Sequence, residues 1–128
     1  MMMTSIGTAL LVVDDHPDTT AMLLRAASRR GIDGDAVLSG NAALRRLETF
    51  RPRVVVLDEM MPDMSGIDVL REIRANPALA DVRVVFYSAC YDWQRQRDAY
   101  ALGIDHWFVK GVDRLDAVFN KIEECLQG

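Results

Sequence analysis

Apolar residues fall in short unbroken runs separated by longer stretches of helical spacing. Ala9-Leu10-Leu11-Val12-Val13 is the first run, and it stops at Asp14-Asp15. Ala36-Val37-Leu38, Val54-Val55-Val56-Leu57-Asp58, Val82 to Ser88 (apolar through Val84-Val85-Phe86) and His106-Trp107-Phe108-Val109 follow. Continuous rather than alternating apolarity marks strands buried on both faces. Between them lie amphipathic stretches at 17–30, 41–50, 66–75, 93–102 and from Asp113 onward. Pro17 suits a first helical position, and Gly31 and Gly103 suit helix ends. The stretch at 93–102 is the least apolar of the five. Asp113, three residues before Asp116, is the expected cap of the last helix.

Five strands alternating with five helices predict an α/β protein with one parallel sheet covered on both faces. Residues 1–8 read as a frayed leader, the core spans about 9–126, and nothing is left over for a second domain. In such a fold all strand carboxyl ends share one edge, where ligands bind. Asp14, Asp15, Asp58, Ser88 and Lys110 stand at those ends. Three carboxylates crowded together repel unless a cation joins them. A hard oxygen set with no His or Cys cluster fits Mg²⁺ with retained waters better than Zn²⁺. A carboxylate-held Mg²⁺ is a place to bind a phosphoryl group, Lys110 and Ser88 can contact its oxygens, and Asp58 is then the nucleophile.

Composition narrows the classes. The 128 residues carry a formal net charge of −4, against a broad nucleic-acid surface. No run approaches the length of a membrane span, and the start lacks the basic and apolar regions of a signal peptide. Cys90 and Cys125 have no metal-ligand spacing and read as reduced thiols of a cytoplasmic protein. There are thirteen Arg but only Lys110 and Lys121 as lysines, so a retained lysine marks a wanted point charge. No G-x-G-x-x-G follows the first strand, which argues against a dinucleotide module. Asp14-Asp15 would repel a flavin phosphate. A carboxylate-nucleophile hydrolase would want an Asp where Met60 stands.

Leu11-Val12-Val13-Asp14-Asp15, Val56-Leu57-Asp58 with Met61-Pro62-Asp63-Met64-Ser65-Gly66, Phe86-Tyr87-Ser88-Ala89 and Lys110 occur in order. In this the chain resembles the receiver domain of two-component response regulators. The resemblance implies a flavodoxin-like (βα)5 fold with strand order 2-1-3-4-5, here without an output domain. It implies a non-enzymatic phosphoacceptor. Asp58 takes a phosphoryl group from the phosphohistidine of a sensor histidine kinase or phosphotransfer protein. It also implies Mg²⁺ held by Asp15, Asp58, the Met60 backbone carbonyl and, through water, Asp14. Ser88 and Trp107 would be the switch pair. A downstream protein would dock on the face made by the fourth helix, fifth strand and fifth helix.

Two positions depart from the pattern. Gly111 stands where the family has proline after the lysine, so the Lys110–Gly111 bond is either trans with a rearranged loop or cis at a cost of about 3–4 kcal/mol. Trp107 is larger than the usual aromatic, and the expectation is an outward-held ring that weakens the switch. A docking module without phosphorylation is the alternative that Gly111 supports. His16 is expected to cap the helix before Pro17. Cys90 reads as a small loop thiol, and Arg95, Arg97 and Asp98 as a solvated helix face.

Overall fold

The computed structural model describes residues 9–128; the reading of 1–8 as a leader lies outside the described residues. The elements run β1 Leu10–Val13, α1 Pro17–Arg29, β2 Gly34–Val37, α2 Gly40–Thr49, β3 Val54–Leu57 and α3 Gly66–Ala75. A single 3₁₀ turn at Pro77–Leu79 precedes β4 Arg83–Ser88, α4 Trp93–Ala101, β5 His106–Val109 and α5 Leu115–Gln127. The five strands are parallel in the order β2-β1-β3-β4-β5. The parallel sheet is what the strand pattern predicts, and its order is the flavodoxin-like one the family resemblance implies.

Strand alternation divides the core into two layers. Leu11, Val13, Val55, Leu57, Val84 and Phe86 point to the face covered by α2, α3 and α4, packing with Ala43, Leu70, Ile73 and Trp107. Leu10, Val12, Val54, Val56 and Val85 point to the other face, where Leu23 and Ala27 of α1 and Val118, Phe119 and Ile122 of α5 cover them. β1 and β3 are buried along their full length, which is why neither shows a two-residue alternation in its sequence.

Local chemistry sets the helix starts. Ser65 and Asp68 form a reciprocal capping box at α3. Asp92 accepts from Gln94 and Arg95 at the start of α4, and Ser39 accepts from Ala42 at α2. Gly66 has no room for a side chain: a Cβ there would lie 2.4 Å from the Asp58 carbonyl oxygen and 2.8 Å from the Phe86 ring. Glycine thus lets α3 begin against the end of β3.

Several expectations are corrected. The second strand is Gly34–Val37, and Leu38 lies beyond it, half exposed. Asp113 does not cap α5. Arg114 holds the capping position without a side-chain bond, and the Asp113 carboxylate instead accepts from Val109 N at 2.7 Å. His16 precedes α1 but its ring makes no cap either; it turns back onto the acidic pair. No described peptide bond is cis, and Gly111 adopts φ +80°, so the turn after Lys110 is a trans turn that glycine makes easily.

Candidate functional site

Parallel register carries the ends of β1, β3, β4 and β5 to one edge. Val13 pairs with Leu57, Leu57 with Phe86, and Ser88 with Val109. The residues that leave those strands are the ones the sequence singled out. Asp58 N donates to the Val13 carbonyl at 3.0 Å, and Lys110 N donates to the Ser88 carbonyl at 2.9 Å. The backbone ladder thus extends one residue past the strands and fixes where Asp58 and Lys110 project.

Asp14 is the hub. It is buried, and one oxygen accepts from His16 N at 2.9 Å while the other takes a charge-assisted bond from Lys110 Nζ at 2.7 Å. Lys110 Nζ also stands 3.7 Å from Asp58 Oδ2 and 5.7 Å from the centre of the Tyr87 ring. Ser88 is fully buried, with its hydroxyl oxygen accepting from Cys90 N at 3.2 Å. Met60 follows in the loop after β3. Its N–H reaches Asp58 Oδ1 at 3.5 Å, and its side chain is exposed.

Electrostatics follow from that crowding. Burial first, and then the Asp14 charge, raise the Asp58 carboxyl above its ordinary range; Lys110, the Ser88 hydroxyl and the Met60 N–H oppose them. Removing a carboxylate from water disfavours its charged form, and a like charge adds to the effect. Ligand atoms of Asp14, Asp15, His16 and Asp58 lie within 4.8 Å of one another. Asp15 Oδ1 is buried with no hydrogen-bond partner; His16 Nδ1 is 3.3 Å away. An orphaned buried oxygen beside two further carboxylates is what a cation-binding cavity presents. The donor set fits Mg²⁺. His16, which sequence reasoning placed as a helix cap, is a fourth potential donor, with Nδ1 also 3.1 Å from Asp14.

Trp107 corrects the expectation of an outward ring. It is 3% exposed, stacked on Phe86 with centroids 4.5 Å apart and planes 3° from parallel. Its indole N–H donates to the Cys90 carbonyl at 3.0 Å, tying β5 to the loop that follows Ser88. Tyr100 of α4 accepts from Trp107 N at 3.0 Å. The ring therefore packs beneath the α4 side and is not offered to a partner.

Sequence reasoning missed Glu59. It is the residue after Asp58 and is buried, accepting from Ile67 N at 2.9 Å and pairing with Arg95 of α4. Burial raises its carboxyl, while the Ile67 N–H and Arg95 lower it. A charged residue inside an apolar strand-end segment was the available signal. Arg95 is correspondingly no free surface arginine, whereas Arg97 lies over the exposed Trp93 ring at 5.3 Å. Asp63, in the loop after β3, accepts from Gly40 N and Asn41 N and holds the start of α2.

Known proteins place this arrangement. A family model described as the response regulator receiver domain matches residues 10–122. The probable transcriptional regulatory protein TcrX of Mycobacterium tuberculosis is 44% identical over 71 residues, 55% of this chain and 30% of that protein. The phosphate regulon transcriptional regulatory protein PhoB of Rhizobium meliloti is 28% identical over 101 residues, 79% of this chain and 44% of that one. The chain thus spans less than half the length of these curated relatives. Among solved structures, a response regulator receiver protein from Pseudomonas putida superposes with a TM-score of 0.86 at 25% identity, covering 94% of this chain and 99% of that one. The response regulator TrrA of Thermotoga maritima, solved in complex with Mg²⁺-BeF, superposes at 0.79 with 27% identity, covering 91% and 96%. Among the described residues no helix is long and apolar enough to cross a membrane. The chain belongs to the response-regulator receiver-domain family of two-component signalling.

Proposed function

We propose that the chain is a phosphoacceptor whose reactive group is Asp58. The observation that carries this reading is the reach of Lys110 from β5 across to Asp14 and Asp58. A lysine held as a point charge beside a buried carboxylate nucleophile is suited to the equatorial oxygens of a transferring phosphoryl group. An Asp58 oxygen attacks phosphorus, the bond from phosphorus to the donor's imidazole nitrogen breaks, and the neutral imidazole leaves after taking a proton. The product is an acyl phosphate. Asp15 and Asp58, with Asp14 behind them, would hold Mg²⁺, joined by the Met60 carbonyl. Bound there, the ion neutralises charge as the phosphoryl group arrives. Ser88 donates its hydroxyl to a phosphoryl oxygen, while its oxygen can go on accepting from Cys90 N.

The donor is a sensor histidine kinase or a phosphotransfer protein. The output is a protein that reads the α4–β5–α5 face, without direct nucleic-acid contact by this domain. Trp107 would be felt there through Tyr100 and the Cys90 loop rather than by direct contact. The alternative of a docking module without phosphorylation drew on Gly111, yet with a trans turn at Gly111 the Lys110 ammonium still meets Asp14 and stands beside Asp58. Incubation with acetyl phosphate and Mg²⁺, followed by intact-mass measurement, tests the proposal. One phosphoryl group should be gained by the wild type and none by Asp58→Asn. A wild type that stays unmodified overturns it.

A further inference from the structure

The edge of the sheet opposite the acidic cluster holds a cavity of about 750 Å³. Its wall carries Arg51 and Arg53 from the segment entering β3, Arg74 from the end of α3 and Arg83 from the start of β4. Asp81 carries the only side-chain carboxylate on that wall among the described residues, and Gly128 lines it as well. A second carboxylate, Asp105, lies behind it and is engaged by Arg83 through Nε and Nη2. Among the described residues Arg51, Arg53 and Arg74 have no carboxylate partner within 4.0 Å, although the chain as a whole carries −4.

Three guanidiniums without a carboxylate partner thus line one cavity. Part of their role is structural. Arg74 donates to the carbonyls of Leu102, Val82 and Gly103, Arg53 to that of Leu126 and Arg51 to that of Ala78. Those acceptors are neutral, and a helix end offers only about half a charge. Arg53 and Arg51 each commit one donor of the five a guanidinium carries. Both are exposed, so their remaining donors are free to face a ligand. The composition, thirteen arginines to two lysines, favours the forked donor that grips two oxygens of one phosphate.

We propose that this basin is a binding site for a small, soluble, multiply charged phosphorylated anion, a di- or triphosphate. The cavity volume lies in the range of small-molecule sites, and a single phosphate would leave most of it empty. Arg53 and Arg51 supply the accessible forks, while Arg74 and Arg83, held by carbonyls and Asp105, form the fixed floor. The site is independent of phosphorylation at the other edge.

Titration calorimetry of the full chain with inorganic pyrophosphate, in chelator and without Mg²⁺, tests this while the acidic edge repels the anion. Saturable one-to-one binding is expected, and it should weaken roughly tenfold in Arg51→Gln/Arg53→Gln with circular dichroism unchanged. Nitrogen-15 spectra of the wild-type arginine side chains give a second reading: pyrophosphate should move the Nε signals of Arg51, Arg53, Arg74 and Arg83. Vesicles of anionic phospholipid should not compete for the bound pyrophosphate. The proposal fails if no saturable binding occurs, if the double variant binds as the wild type does, if the shifted signals lie elsewhere, or if the vesicles displace the anion.

Discussion

Lys110 Nζ meets Asp14 Oδ2 at 2.7 Å, although the residues lie ninety-six positions apart in the chain. The same nitrogen is 3.7 Å from Asp58. Before any phosphoryl group arrives, the ammonium is therefore committed chiefly to Asp14 and only secondarily to the nucleophile. Lys110→Ala should leave the fold intact and slow labelling of Asp58 by acetyl phosphate roughly 100-fold, the scale of losing one preorganised charge donor. Intact-mass time courses measure it.

The raised Asp58 carboxyl makes a prediction about pH. Its folded form binds a proton more tightly than the unfolded chain does, so its ionisation opposes folding. That penalty is absent below the ordinary value of 3.8 and grows as pH rises through the folded pKa. In Mg²⁺-free buffer Asp58→Asn should be more stable than wild type at pH 7, with the advantage vanishing in acid. Urea unfolding at several pH values checks this; a pH-independent difference would assign the effect to something other than ionisation.

Glu59 gives a second test. Arg95→Ala leaves a buried carboxylate oxygen without its cation and should cost about 1–3 kcal/mol, the penalty for an unsatisfied buried group. Adding Glu59→Gln to that variant should recover part of the loss. A double-mutant cycle by chemical denaturation yields the coupling.

For Trp107, truncation to alanine should cost about 3–5 kcal/mol by emptying the space beside Phe86. Trp107→Phe keeps a stacked ring but removes the bond to the Cys90 carbonyl, and should cost about 1 kcal/mol. Thermal and denaturant unfolding separate the two variants.

Asp63→Ala removes the acceptor for Gly40 N and Asn41 N. Those bonds, led by the one from Asn41, hold its carboxyl below the ordinary range, so its stabilisation is present above 3.8 and is lost as pH falls through the folded pKa. The substitution should cost about 0.5–1 kcal/mol at neutral pH, as lost helix caps do. Hydrogen exchange of the α2 amides should rise with it.

The sheet was legible because β1 and β3 are apolar without interruption and β4 through Val84-Val85-Phe86, and the acidic edge because Asp14-Asp15, Asp58 and Lys110 each follow such a run. What stayed hidden depends on side-chain direction. The sequence shows that Trp107 is large, but not that Phe86, its partner across β4–β5, lies open to stack against it. His16 and Asp113 sit at helix starts in one dimension. In three, nearer backbone and carboxylate partners draw their side chains elsewhere. Glu59 and Arg95 are thirty-six residues apart, and only the packing of α4 against the end of β3 joins them.

The two tryptophans occupy opposite optical environments. Trp107 is sealed between Phe86 and the α4 side, while Trp93 stands 66% exposed under Arg97. An aqueous collisional quencher reaches one indole and not the other. The emission that survives quenching therefore comes from the core beside the Ser88 loop, and the chain carries a built-in probe of that region needing no label.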